Sequence, residues 1–229
     1  MDEGQTILYT GKGGGGVSAL FTVDRIVAQI RDGLNDRLHA DIRSFTDSGY
    51  VSARDPYLPR ECEDTVDATT CNIAGGVENG VKAWIPEYPQ YCIDNSLTWE
   101  CFFGNYSFSY IETPSFVFNY QYDYAQLDTD GLMSFHGSYN DLEGVQWAQE
   151  QAEYYVDTEI IANGKSNFFF LPGCWDHEIM DKDVLQDVYI GEHNLVDAMR
   201  EWYKGGLQMI RLYDDDWVMN SNPTCLNIR

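Results

Sequence analysis

Basic side chains are scarce in this chain: 14 Lys and Arg stand against 37 Asp and Glu, a formal charge of −23 over 229 residues. Phosphate backbones are held by clustered Lys and Arg, so a nucleic-acid partner is excluded, and an anionic membrane surface is disfavoured for the same reason. No stretch approaches the roughly 18 consecutive apolar residues of a membrane-spanning helix. No CxxC pair occurs, which removes zinc-finger and thioredoxin-type chemistry, and neither a metal nor a cofactor is expected. The opening residues, Met-Asp-Glu, carry no basic n-region and no apolar h-region, so no signal peptide is expected in the chain as written. Internal repeats are missing too.

What is present points the other way on export. Six cysteines occur, an even number, and the short spacings Cys62/Cys71 and Cys92/Cys101 look like local disulfide loops of an exported protein. A leaderless start and exported cysteines agree if the chain is the later part of a longer, secreted protein. A hydrophobic share of 44% supports a sizeable core, and no domain boundary is evident, so residues 1–229 read as one partial domain. The 14% of aromatic residues suits a sugar- or lipid-binding cleft as well as an ordinary core.

The stretch Thr6–Leu20, TILYTGKGGGGVSAL, is the most informative. An apolar run stops at a glycine cluster and an amphipathic segment follows, the outline of a strand, a sharp turn and a helix. Two site types use this outline. A nucleophile elbow, G-x-S-x-G, matches the spacing of Gly11 to Gly15 but with Gly13 in the serine's place. A phosphate-binding loop matches Lys12 to Ser18 but with Val17 where its second lysine belongs. Each lacks its reactive residue, and the remaining chain has to decide.

Val17, Leu20, Phe21, Val23, Ile26, Val27 and Ile30 recur at helical spacing, closed by Gly33 and Asn35, and Ala40 to Phe45 reads as a strand. Strand, helix, strand in this order predicts a parallel sheet. Residues 50–71 are an excursion, and Ile73–Trp84 a helix. Phe116–Phe118 is a strand with Asp123 just beyond its end. Leu142–Ala162 is a long helix broken at Gly164-Lys165, and Phe168–Leu171 a buried strand with His177 one loop further on. Asn194–Tyr203 is the last helix, closed by Gly205-Gly206, and residues 205–229 form an unpatterned acidic tail. Asn105-Tyr106-Ser107 is a glycosylation sequon, meaningful in a secreted chain. Elbow, Asp123 and His177 each follow a strand, in the chain order of an α/β-hydrolase triad. There the histidine takes the nucleophile's proton, while the aspartate fixes its tautomer and stabilises the imidazolium.

Several stretches together resemble the later half of the pectin acetylesterase/Notum family of serine carboxylesterases. They are Thr10–Gly16 running on to Val23-Asp24-Arg25, Thr46–Tyr50, Cys62 to Cys71 with Asp64-Thr65 between, Trp99–Gly104, Tyr122–Leu127 and Cys174–Ile179. They stand in family order and cover residues from about 6 to 204. The resemblance implies an α/β-hydrolase-like fold, a mostly parallel sheet flanked by helices, lacking the family's N-terminal part with its oxyanion loop. It implies that Asp123 and His177 are the catalytic acid and histidine, with Gly14 offering an oxyanion N–H. The family's elbow reads G-x-S-A-G-G, and the gapless spacing from Gly13 to Val23-Asp24-Arg25 puts Gly13 at the nucleophile's position. Ser18 is no substitute, because about 1.5 Å of helical rise per residue carries it away from the turn. Tyr124, Trp99 and Phe103 are the implied substrate-lining aromatics. The pairing Cys62–Cys71, Cys92–Cys101 and Cys174–Cys225 goes with this reading. The expected partner is an ester-bearing small molecule, a glycan or a lipidated protein. The chain is then an impaired or inactive ester hydrolase, with a non-catalytic acyl- or glycan-binding decoy as the alternative. A nucleotide-binding protein with a degenerate Walker loop is the remote one.

Overall fold

The strands Phe116–Phe118 and Phe168–Leu171 are apolar without a break, the pattern of strands covered on both faces. In the computed structural model they lie at the centre of a five-stranded sheet. Its strands, in spatial order, are β1 (Thr6–Lys12), β2 (Asp41–Asp47), β3 (Ser115–Phe118), β4 (Phe168–Leu171) and β5 (Arg211–Tyr213). Every neighbouring pair is parallel. The structure describes residues 6–33, 41–60, 62, 71–84, 86–132, 142–160, 168–205 and 211–227. Asn35, Ala40, Asp64-Thr65, Ala162, Gly164-Lys165 and Gly206, named in the sequence reading, lie outside them.

Alternation along the strands builds two cores. Phe116, Phe118, Phe168 and Phe170 face one side, where helix α4 (Leu195–Tyr203) contributes Leu195, Ala198 and Trp202. Val117, Phe169 and Leu171 face the other, against Leu20, Val23 and Val27 of α1 (Gly14–Gly33) and against Tyr155 and Val156. The helix predicted from Val17 onwards is α1, begun three residues earlier. Ile73–Trp84 is α2, and α3 (Leu142–Tyr154) passes into a π-helical turn, Tyr155–Ile160. The α/β-hydrolase-like expectation of a parallel sheet flanked by helices is therefore met.

Val23-Asp24-Arg25 has a structural explanation. Val23 is wholly buried, while the Asp24 carboxylate accepts hydrogen bonds from the backbone N–H of Glu112 (2.9 Å) and Thr113 (2.8 Å) and from the Thr113 hydroxyl (2.5 Å). This clamps α1 to the entry of β3.

Sequence patterning assigns residues 205–229 to an acidic tail, whereas Arg211–Tyr213 is the fifth strand of the sheet. Three residues are too few for a period-2 signal, and this strand is held by its surroundings. Asp214 Oδ2 accepts from Gly173 N–H (2.7 Å) and from Asn222 Nδ2 (2.8 Å). Cys225 is bonded to Cys174 beyond the end of β4, and Cys62–Cys71 and Cys92–Cys101 are formed as well. The Cys174–Cys225 bridge spans 51 residues, so replacing both cysteines by Ser is expected to cost about 4 kcal/mol of unfolding free energy. Urea unfolding measures that loss, and hydrogen exchange reports where it falls. The amides of β5 should lose protection before those of β3; uniform loss across the sheet contradicts the role given to the bridge.

Candidate functional site

β1 ends at Lys12 and α1 begins at Gly14, leaving Gly13 alone to reverse the chain. It does so at φ +49°, a conformation that glycine reaches without steric cost. Its N–H donates to Asp47 O at 2.8 Å and its carbonyl accepts from Val17 N–H at 3.0 Å. Gly16 serves packing: a Cβ on Gly49 would lie 2.4 Å from its carbonyl carbon, so α1 and the loop after β2 touch backbone to backbone. A one-residue turn leaves no loop to wrap a phosphate. Lys12 Nζ instead engages Glu178 at 3.1 Å and also Asp181. The Walker-type reading therefore finds no support in the geometry.

A short parallel bridge brings the other two groups together. Tyr122-Asp123 pairs with Trp175-Asp176, which sets the loops after β3 and β4 side by side. Asp123 caps the helical turn Tyr124–Thr129, its Oδ1 accepting from Ala125 N–H (3.0 Å) and Gln126 N–H (3.4 Å). A short polar side chain suits a cap, and here the cap aims the carboxylate. Both Asp123 oxygens lie 2.9 Å from His177 Nδ1. The Asp123 carboxylate is buried, whereas the His177 side chain is 19% exposed.

The third position meets them. A Cβ built on Gly13 would stand 3.6 Å from His177 Nε2, so a serine there would present its hydroxyl to that nitrogen. The N–H of Gly14 belongs to the first turn of α1, whose N–H groups have no intrahelical acceptor. Gly13, Gly14, Asp123 and His177 thus converge. Tyr124 joins them, its ring 5.5 Å from the imidazole and edge-on. Trp99 and Phe103 do not: Phe103 is wholly buried with Val17, Val51 and Val77, and Trp99 packs edge-on against it in the same cluster. Asn105 holds Ala53, accepting from its N–H (3.1 Å) and donating Nδ2, the atom a glycan would take, to its carbonyl (3.5 Å).

Three residues beyond the sequence-predicted set organise the site. Asp47 Oδ2 accepts from the N–H groups of Ile179 and Met180, both at 2.8 Å, and so fixes the loop that carries His177. Ser48, itself at φ +53°, accepts from Glu178 N–H at 2.9 Å. Glu178 occupies the turn: its Oε1 lies 2.4 Å from the Gly13 Cβ position and 3.5 Å from His177 Nε2. Asp47, Ser48 and Glu178 all stand in stretches that carry the family resemblance. Nothing in one sequence says that their side chains turn toward Gly13. Burial works to lower the pKa of His177, but the hydrogen bond and charge of Asp123, with the charges of Glu178 and Asp47, outweigh it and raise the value above 6.5. Burial likewise raises the Asp47 carboxyl, against the hydrogen bonds from Met180, Ile179 and Ser48.

Comparison with known proteins agrees with this architecture. The pectinacetylesterase family model matches residues 1–226. The palmitoleoyl-protein carboxylesterase notum1a of Danio rerio is 26% identical over 245 residues, covering 100% of this chain and 47% of the relative. The palmitoleoyl-protein carboxylesterase NOTUM of Mus musculus is 27% identical over 206 residues, covering 88% of this chain and 39% of its own length. The chain thus spans less than half the length of these relatives. Among solved structures, that of the Wnt deacylase Notum from Drosophila superimposes with a TM-score of 0.82 at 23% identity, over 98% of this chain and 61% of the other, which is a likeness of fold. With the family model matched over nearly its whole length, the chain belongs to the pectinacetylesterase family.

Proposed function

We propose that this chain is a carboxylesterase-fold protein that binds an acyl or acylated ligand beside His177 and hydrolyses it slowly or not at all. The observation that carries this reading is Gly13, which stands 3.6 Å (at its Cβ position) from an imidazole already oriented by Asp123. The supporting groups of acyl transfer are in place without an attacking oxygen. In a well-studied serine protease, removal of the nucleophile costs about 10⁶ in turnover. Asp123 and His177 could activate water only weakly in its stead. The relatives named as palmitoleoyl-protein carboxylesterases favour a protein-linked acyl group as ligand, and the family model favours an acetylated glycan; a small ester is the simplest probe of both. Three formed disulfides support an exported protein. Among the described residues no helix is long and apolar enough to cross a membrane.

The direct test compares esterase activity of the chain with that of Gly13→Ser on short- and medium-chain nitrophenyl esters. The serine should raise kcat/KM by about 10³ or more, part of the span a nucleophile commands. At φ +49° a serine is strained, but its Cβ clashes only with the far end of Glu178, a flexible side chain, and meets His177 Nε2 at ordinary contact distance. No gain in a folded Gly13→Ser variant, or full activity in the unaltered chain, would remove the reading.

His177 should hold its proton more tightly in the folded chain than in the unfolded one. Asp123 faces its Nδ1, Glu178 its Nε2, Asp47 adds its charge from β2, and the Lys12 ammonium reaches the site only through Glu178. A folded-state pKa raised above 6.5 means that the native state holds its proton more tightly. The stability this provides is complete below pH 6.5 and is lost as pH rises through the folded value. Titration of the His177 ring by NMR should therefore give a midpoint above 6.5. Unfolding free energy should fall with rising pH in that window more for the native chain than for His177→Gln. A midpoint at or below 6.5 contradicts the charge arrangement.

A further inference from the structure

Glu178 follows His177 directly, yet its backbone enters the left-handed region at φ +52°, which a residue with a Cβ adopts only when its surroundings hold it there. That turn aims the side chain back over Gly13. The carboxylate ends where a residue other than glycine would place its Cβ, with Oε1 2.4 Å from that position. Two basic side chains lie against it: Lys12 Nζ, which also engages Asp181, is 3.1 Å from Oε2, and His177 Nε2 is 3.5 Å from Oε1. Ser48 Oγ fixes the backbone by accepting from Glu178 N–H at 2.9 Å. The first turn of α1 follows directly after Gly13.

A protein recognises a carboxylate that arrives from outside with groups of this kind, an ammonium and an imidazole about one oxygen pair. Here the carboxylate is supplied by the chain. The Glu178 side chain is 27% exposed, so it has a path to solvent when another anion takes its place.

We propose that Glu178 is an internal ligand in a site for free carboxylate anions, and that an acyl-chain carboxylic acid binds by exchanging with it. The proposal rests on the acyl-binding reading above and narrows it from esters to acids. An ester presents no charge to Lys12 or His177 and leaves both cationic groups partnered less well than Glu178 does. A free acid replaces the Glu178 carboxylate like for like. Gly13 is part of the same arrangement, because Oε1 and a Cβ at that position exclude one another. A tethered competitor weakens every external carboxylate by the fraction of time it occupies the site.

Calorimetric titration with octanoate and with methyl octanoate, at a pH below 6.5 and above the titration of octanoate, tests this in the native chain, Glu178→Ala and Glu178→Gln. Removing the tethered charge should tighten octanoate binding about tenfold or more in both variants. Methyl octanoate should change by less than about threefold. Glu178→Gln keeps the side chain's bulk, so it separates charge exchange from simple obstruction. Equal tightening of acid and ester overturns the proposal and makes Glu178 a steric block. Unchanged octanoate affinity in both folded variants overturns it as well. Absence of binding by either compound to all three proteins defeats the acyl-binding reading itself, and with it this narrowing.

Discussion

One buried residue joins the two halves of the site. The backbone carbonyl of Asp47, at the end of β2, accepts the N–H of Gly13, and its carboxylate accepts two N–H groups of the loop that carries His177. The glycine turn and the histidine loop come from parts of the chain more than 160 residues apart, and here they are referenced to a single residue. Asp47 is wholly buried, and a charge in that position is tolerated because backbone donors and Ser48 surround it. Without those bonds the His177 loop would be tied to the sheet chiefly through the Tyr122–Trp175 bridge.

The electrostatics of the site follow from that anchorage. Asp47, Asp123 and Glu178 approach His177 from three directions, and carboxylates so close are compatible only with cationic groups among them. His177 is one, and Lys12, bound to Glu178 and Asp181, is the other. In an active serine hydrolase the histidine must be neutral before it can take the nucleophile's proton. A histidine with carboxylates beside both ring nitrogens gives up its own proton less readily. Gly13 and Glu178 are thus linked: the glycine leaves the space beside Nε2 open, and the Glu178 carboxylate reaches into it.

Much of this was legible in the sequence because it depended on local pattern. The apolar runs of β3 and β4, the helical period of α1 and the glycines at the turn have short-range causes, and they put Gly13, Asp123 and His177 each just beyond a strand, where the structure brings the three together. β5 was not legible, because three mixed residues carry no period and their position is set by Asp214, Asn222 and a disulfide. Trp99 and Phe103 were expected to line the ligand site, but aromatic character does not distinguish a lining from a core, and they pack in a core. Glu178 escaped notice for a different reason. Its direction depends on one positive φ and on Lys12, far away in sequence, and neither leaves a trace in local composition.

The persistence of the Asp123–His177 geometry beside Gly13 bears on how such a site is maintained. Nothing that orients this pair involves the nucleophile: Asp123 is aimed by its helix cap, His177 by a two-residue bridge and by Asp47, and the turn by Asp47 again. The positions of these groups are therefore fixed by folding bonds that are needed in any case, whatever residue stands at the turn. Intact triad geometry is consequently weak testimony to turnover in this family. The discriminating feature is what fills the space beside Nε2, where a hydroxyl offers the histidine a proton to take and the Glu178 carboxylate offers none.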